Sequence, residues 1–136
     1  MLIKIGELAT RTGATVETIR YYEKERLLPK PARSQGNYRL YNEAHFERLQ
    51  FILHCRTLDM TLDEVRTLLQ YRDKPDENCG EVNVLLDEHI DAVETRMEEL
   101  IQLKQHLLAL RQKCASEALA EYCGILHALA DNSCHR

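Results

Sequence analysis

Three of the five cysteines in this 136-residue chain are spaced to act together. Cys79 and Cys114 stand 35 positions apart, and Cys123 follows nine residues later. An odd number of thiols, with no N-terminal apolar run resembling a secretory leader, points away from a disulfide framework and towards metal or redox chemistry. The redox option lacks its usual motifs, since there is no C-x-x-C pair and no four-cysteine cluster spacing. Three thiolates fall one short of a closed structural zinc site. They suit a large, soft cation that accepts a three-sulfur shell: Pb(II), Cd(II) or Hg(II).

The element that must position these sulfurs is a long helix between Asn78 and Cys114. Leu86, Val93, Leu100 and Leu107 recur every seven residues, and Leu103 and Leu110 occupy the second seam position. Ile90 and Met97 widen the stripe, while Glu94, Glu98, Glu99 and Lys104 fill the other faces. After Gly80 no proline or glycine interrupts it, so the pattern is a coiled-coil seam offered to a partner. Asn78-x-x-Glu81 reads as a capping box after a turn at Pro75.

At ~1.5 Å of rise per residue, such a helix separates Cys79 from Cys114 by roughly 50 Å, too far to share an ion within one chain. Two copies paired antiparallel bring the partner's Cys79 beside Cys114, and a two-fold, isologous interface builds this site twice. Cys79 sits in the first helical turn, where the positive helix end favours a thiolate. The loop Ala115–Tyr122 carries Cys123 back towards Cys114. A dimerisation helix with incidental thiols is the plain alternative, and the third thiol argues against it.

The two halves of the chain carry opposite charge. Residues 1–75 hold 13 Lys/Arg against 10 Asp/Glu, whereas residues 76–136 hold 5 against 12. The net charge of −4 therefore conceals a mildly basic head and an acidic remainder. Residues 3–12, with Ile5, Leu8 and Ala9 at helical spacing, end at Gly13. Thr15 caps a second helix with Val16, Ile19 and Tyr22 facing inward, which is the outline of a helix-turn-helix. That helix carries Thr18, Arg20, Tyr21 and Lys24. Beyond Pro29 and Pro31, the stretch Ala32–Tyr41 has the alternation and the Gly36-Asn37 turn of a small β-hairpin. Arg33 and Arg39, interleaved with Tyr38 and Tyr41, suit phosphate contacts flanking a helix in the DNA major groove. Asn42 caps a third helix (Phe46, Leu49, Ile52, Leu53) and Thr61-x-x-Glu64 a fourth (Leu62, Val65, Leu68, Leu69). Cys55 reads as a small buried hydrophobe, His45 and His54 as surface or core residues, and His127 as packed in a short apolar segment. Cys134 and His135 lie in a loose tail.

Glu17-Thr18-Ile19-Arg20-Tyr21-Tyr22-Glu23, Leu27-Leu28-Pro29, Asn37-Tyr38-Arg39-Leu40-Tyr41 and Leu58–Val65 resemble the signature of the MerR family of transcriptional regulators. One departure is Arg26, where many members have glycine. Cys79-Gly80-Glu81-Val82-Asn83 and Cys123-Gly124-Ile125-Leu126 are most similar to the lead- and cadmium-responsive members, and the cysteine intervals also resemble mercury sensors. The resemblance implies a mainly α fold: a winged helix-turn-helix DNA-binding head (residues 1–75), a long antiparallel coiled-coil dimerisation helix (76–113) and a metal-binding loop and tail (114–136). It implies a cytoplasmic homodimer, not an enzyme, with no membrane partner. That dimer would bind an inverted-repeat promoter through Thr18, Arg20, Tyr21, Arg33, Asn37, Tyr38, Arg39 and Tyr41. Metal at Cys79, Cys114 and Cys123, foremost Pb(II), with Cd(II), Zn(II) or Hg(II) as alternatives, would distort that promoter for RNA polymerase.

Overall fold

The computed structural model describes residues 1–114, 116–117 and 119–132. It is mainly helical with one small hairpin, and it divides into two units, Met1–Leu85 and Leu86–Arg136. In the first unit, α1 (Ile5–Thr12) stops at Gly13, whose φ of 78° lies in the left-handed region that glycine enters without a Cβ penalty. Thr15 caps α2 (Val16–Lys24) by accepting the Thr18 N–H. Leu8, Ala9, Ile19 and Tyr22 are buried, while Ile5 and Val16 are half-buried at the margin.

The chain leaves α2 through Arg26, which adopts φ 61°. Left-handed backbone is costly for a residue with a Cβ, which explains why glycine suits this position. The surrounding structure holds the turn in place. Arg66 donates to the Glu25 carbonyl at 2.9 Å, Arg48 to Leu27 at 2.7 Å, and His45 Nε2 lies 3.2 Å from the Pro29 oxygen. Three side chains from α3 (Glu43–Thr57) and α4 (Leu62–Arg72) thus serve alternate carbonyls of the linker, groups that would otherwise lose hydrogen bonds on burial.

The expected hairpin is present as β1 (Ala32–Arg33) and β2 (Arg39–Leu40), with Ala32 opposite Leu40 and Arg33 opposite Arg39. Its left-handed residue is Asn37 (φ 64°), a type that tolerates this region. Reciprocal backbone bonds of 2.9 and 2.8 Å between Ile3 and Tyr41 fasten its base to the N-terminal segment. Asn42 and His45 form a capping box on α3, as Thr61 and Glu64 do on α4. His45 is buried against the Tyr41 ring, with centroids 5.3 Å apart in an edge-on arrangement. Cys55 is buried, and that burial raises its thiol pKa, as befits a core residue rather than a ligand.

The long helix, α5 (Gly80–Arg111), runs for 32 residues without a buried side chain. Ile90, Val93, Met97, Leu100, Leu103 and Leu107 are exposed, and Leu86 and Leu110 are half-buried. Its start differs from the expected capping box. Asn78 Oδ1 accepts the Gly80 N–H at 2.7 Å, and the Glu81 carboxylate instead receives the Tyr71 hydroxyl. That bond ties the first turn of α5 to α4, both within the unit that ends at Leu85. No helix among the described residues is long and apolar enough to cross a membrane.

Replacing Arg26 with glycine should stabilise the head by about 0.5–1 kcal/mol, because the relieved strain exceeds the extra freedom glycine gains when unfolded. Thermal denaturation should show a rise of a few degrees. An unchanged or lower midpoint would mean that the turn carries no strain.

Candidate functional site

Cys114 and Cys123 come together at the end of α5. A 3₁₀ turn (Ala120–Tyr122) leads into α6 (Gly124–Ala130), with Cys123 at its N-cap. Gly124 permits the approach: a Cβ there would lie 2.1 Å from the Lys113 carbonyl oxygen. Only a residue without a side chain lets these two backbones touch, and the neighbours of that contact are Cys114 and Cys123. Arg111 donates to the Cys114 carbonyl at 2.8 Å, and Cys114 Sγ lies 3.4 Å from the Ser116 carbonyl oxygen.

The two thiols are electrostatically unequal. The Leu126 N–H holds the Cys123 thiol below its ordinary pKa; partial burial opposes this, while the Cys114 side chain and the Ile125 N–H assist. Cys114 is raised, first by its hydrogen bond with Cys123 and then by burial. Cys123 is therefore the readier of the two to ionise. His127, expected to pack, is exposed, and its Nε2 bonds the Glu121 carbonyl at 2.5 Å, bracing the loop.

Cys79 belongs to the other unit. It is exposed at the start of α5, with its carbonyl accepting the Asn83 N–H. Among the described residues, no three Cys, His, Asp or Glu side chains converge as a metal site. The described part of a single chain thus brings two sulfurs together, Cys114 and Cys123, a donor type that suits thiophilic cations. Cys134 and His135 lie outside the described residues.

On the head, Arg20 and Tyr21 are exposed on α2, and the Thr18 hydroxyl lies 2.8 Å from that of Thr15. Arg33 donates to the Asn37 carbonyl at 3.1 Å, which stiffens the wing. Tyr38 is exposed, with the Lys4 ammonium 4.4 Å from its ring centroid, a cation–π contact. Lys4, Arg20, Arg33, Asn37, Tyr38 and Arg39 line one open cleft of about 830 Å³. Tyr41 requires a correction. It is fully buried and its hydroxyl donates to Glu23, so it supports the wing from within and offers no surface to DNA. Burial, and then the Glu23 carboxylate, raise its phenol pKa well above the usual value. Sequence reasoning missed Lys4 and Glu23, because neither carries a spacing signal.

At neutral pH, iodoacetamide should label Cys123 before Cys114, and native Cys55 last, with the Cys123 rate falling as acidification protonates its thiolate. Equal labelling of Cys114 and Cys123, followed by peptide mass spectrometry, would contradict the paired arrangement. Arg20→Ala and Arg39→Ala should each weaken DNA binding and flatten its salt dependence by about one phosphate contact. Filter binding across a salt series reads this out, and unchanged slopes would remove both arginines from the interface.

Two family descriptions match the chain: "MerR HTH family regulatory protein" over residues 3–72 and "MerR, DNA binding" over residues 46–110. The HTH-type transcriptional regulator ZntR homolog of Haemophilus influenzae is 48% identical over 84% of this chain and 84% of its own length. The HTH-type transcriptional regulator ZntR of Escherichia coli K12 is 38% identical over 94% of this chain and 92% of its own. Among solved structures, the transcription regulator PbrR691 of Ralstonia metallidurans CH34, crystallised in complex with lead(II), is 53% identical. It superposes with a TM-score of 0.83 over 93% of this chain and 98% of that one. The winged head, the long helix and these matches agree, and the chain belongs to the MerR family of DNA-binding transcriptional regulators.

Proposed function

We propose that this regulator is a cytoplasmic homodimer that binds promoter DNA and activates heavy-metal resistance genes in response to a thiophilic divalent metal, foremost Pb(II). Cd(II), Zn(II) and Hg(II) are the alternatives within the same chemistry. The observation that carries the reading is the Cys114–Cys123 pair, two juxtaposed sulfurs that need a third donor. Lead is favoured because PbrR691, similar over nearly the whole chain, was crystallised with that ion.

In this reading residues 1–75 read DNA, 76–113 form the dimerisation helix and 114–136 hold the metal loop. The exposed seam of α5 pairs antiparallel with its copy, each buried Leu, Ile or Val contributing roughly 1–2 kcal/mol. The partner's Cys79 then joins Cys114 and Cys123. Cys123 enters as the readier thiolate, Cys114 gives up its proton later, and metal uptake is therefore favoured as pH rises. A bound Pb(II) supplies a soft, double positive charge shared by the three sulfurs. Tyr71, bonded to Glu81 two residues beyond Cys79, links that end of α5 to α4 of the head.

The two heads would each read one half of an inverted repeat, with the paired helices setting their spacing. Tightening around three sulfurs favours a head arrangement that bends and untwists the duplex, realigning promoter elements for RNA polymerase. That distortion costs energy that depends on spacer sequence. By linkage, DNA able to adopt the distorted shape must tighten metal binding by the same factor.

Serine at any one of positions 79, 114 or 123 should abolish lead-dependent transcription in vitro while leaving operator binding within about twofold, a difference below ~0.5 kcal/mol. Full lead response in Cys79→Ser would overturn the shared site.

A further inference from the structure

Two acids border the basic surface of the head, Glu7 and Glu23, and Glu23 is the one set among the cations at the wing root. Its side chain is only 11% exposed, on the last turns of α2. One carboxylate oxygen accepts the buried Tyr41 hydroxyl, and the other lies 3.7 Å from Arg39 Nε. Glu23 also borders an open cleft of about 450 Å³ whose other charged walls are Arg20, Lys24, Lys30, Arg33 and Arg39. Among the described residues lining that cleft it is the single acid. A carboxylate amid five cations on a surface meant for phosphates needs an explanation, because it subtracts from the electrostatic attraction that all DNA exerts.

We propose that Glu23 is a specificity-determining residue for DNA binding: it holds and partly neutralises Arg39 at the wing root, suppressing adhesion to arbitrary duplexes while leaving the operator complex intact. The inference rests on Arg39 being a DNA contact. Tyr41 explains why Glu23 stays in place. Its hydroxyl, packed beneath the wing, fixes one oxygen and leaves the other turned to the guanidinium. On non-operator DNA, where the fit is loose, Arg39 must choose between Glu23 and a phosphate. On the operator, the full set of contacts brings a phosphate within reach and offsets the loss of the pair.

The test is Glu23→Gln, which keeps an acceptor for Tyr41 and removes only the charge. Binding of the full-length dimer is measured across a salt series on two probes: a random-sequence duplex, and a duplex enriched by the wild-type protein from a randomised pool. Glu23→Gln should bind the random duplex roughly three- to tenfold more tightly near 100 mM salt, with a slope steeper by about one. Affinity for the enriched duplex should change less, so discrimination falls. The double variant Glu23→Gln/Arg39→Gln should lose the gain. An unchanged slope for Glu23→Gln, or equal weakening on both duplexes, would overturn the proposal in favour of a merely structural role. A gain that persists in the double variant would also overturn it, because the released cation would not be Arg39. Wild-type binding and slope in Arg39→Gln alone would remove the DNA-contact reading itself, and the inference with it.

Discussion

A helix of 32 residues with no buried side chain leaves a row of isoleucine, valine, methionine and leucine in water. Apolar surface of that extent is costly to hydrate, and its seven-residue recurrence specifies one remedy, a second helix of the same kind. Every further feature of the proposed switch depends on that pairing. In that proposal the sulfur pair at the end of α5 would gain its third donor only from a neighbour. The spacing of two DNA-reading heads is likewise set by whatever the two helices do together. Stability, metal affinity and DNA geometry would then share a single constraint, and a change in one must register in the others.

The head shows how a small domain builds a precise surface from unfavourable backbone. Arg26 sits in left-handed conformation, and the part-buried carbonyls of Glu25, Leu27 and Pro29 on either side of it are met by side chains. Arg48, Arg66 and His45 answer those carbonyls one after another. Two of the head's basic residues are thereby committed to architecture rather than to DNA. Lys4, Arg20, Arg33 and Arg39 instead line one cleft beside α2 and the wing, where Tyr41 is bonded to Glu23. Basicity alone would not have separated these two groups; their hydrogen-bond partners do.

Much of this was legible in the sequence because it is local. Gly13, Thr15, Asn42 and Thr61 punctuate helices through contacts within a few residues, and the seam of α5 is a periodicity. What was not legible depends on distant partners. Tyr41 looks like any tyrosine in a basic wing until Glu23, 18 residues earlier, is seen beneath it. Asn78-x-x-Glu81 satisfies the pattern of a capping box, yet Tyr71 of the preceding helix claims the glutamate. His127 sits in an apolar run but turns its ring outward to the Glu121 carbonyl. Gly124 carried no signal of its own, since the carbonyl it must avoid belongs to Lys113, across a loop.

The account turns on sulfurs from two polypeptides closing one site, and complementation between damaged chains tests that most directly. A heterodimer is assembled from one chain carrying Cys79→Ser and another carrying Cys114→Ser with Cys123→Ser, each unable to bind lead tightly as a homodimer. If the site is shared, the mixed dimer regains a single complete set of three thiolates. Its sulfur-to-lead charge-transfer absorbance should then titrate to about one ion per dimer, as two-fold pairing requires. Absence of that absorbance in a verified heterodimer would contradict the shared site and the antiparallel pairing on which it depends.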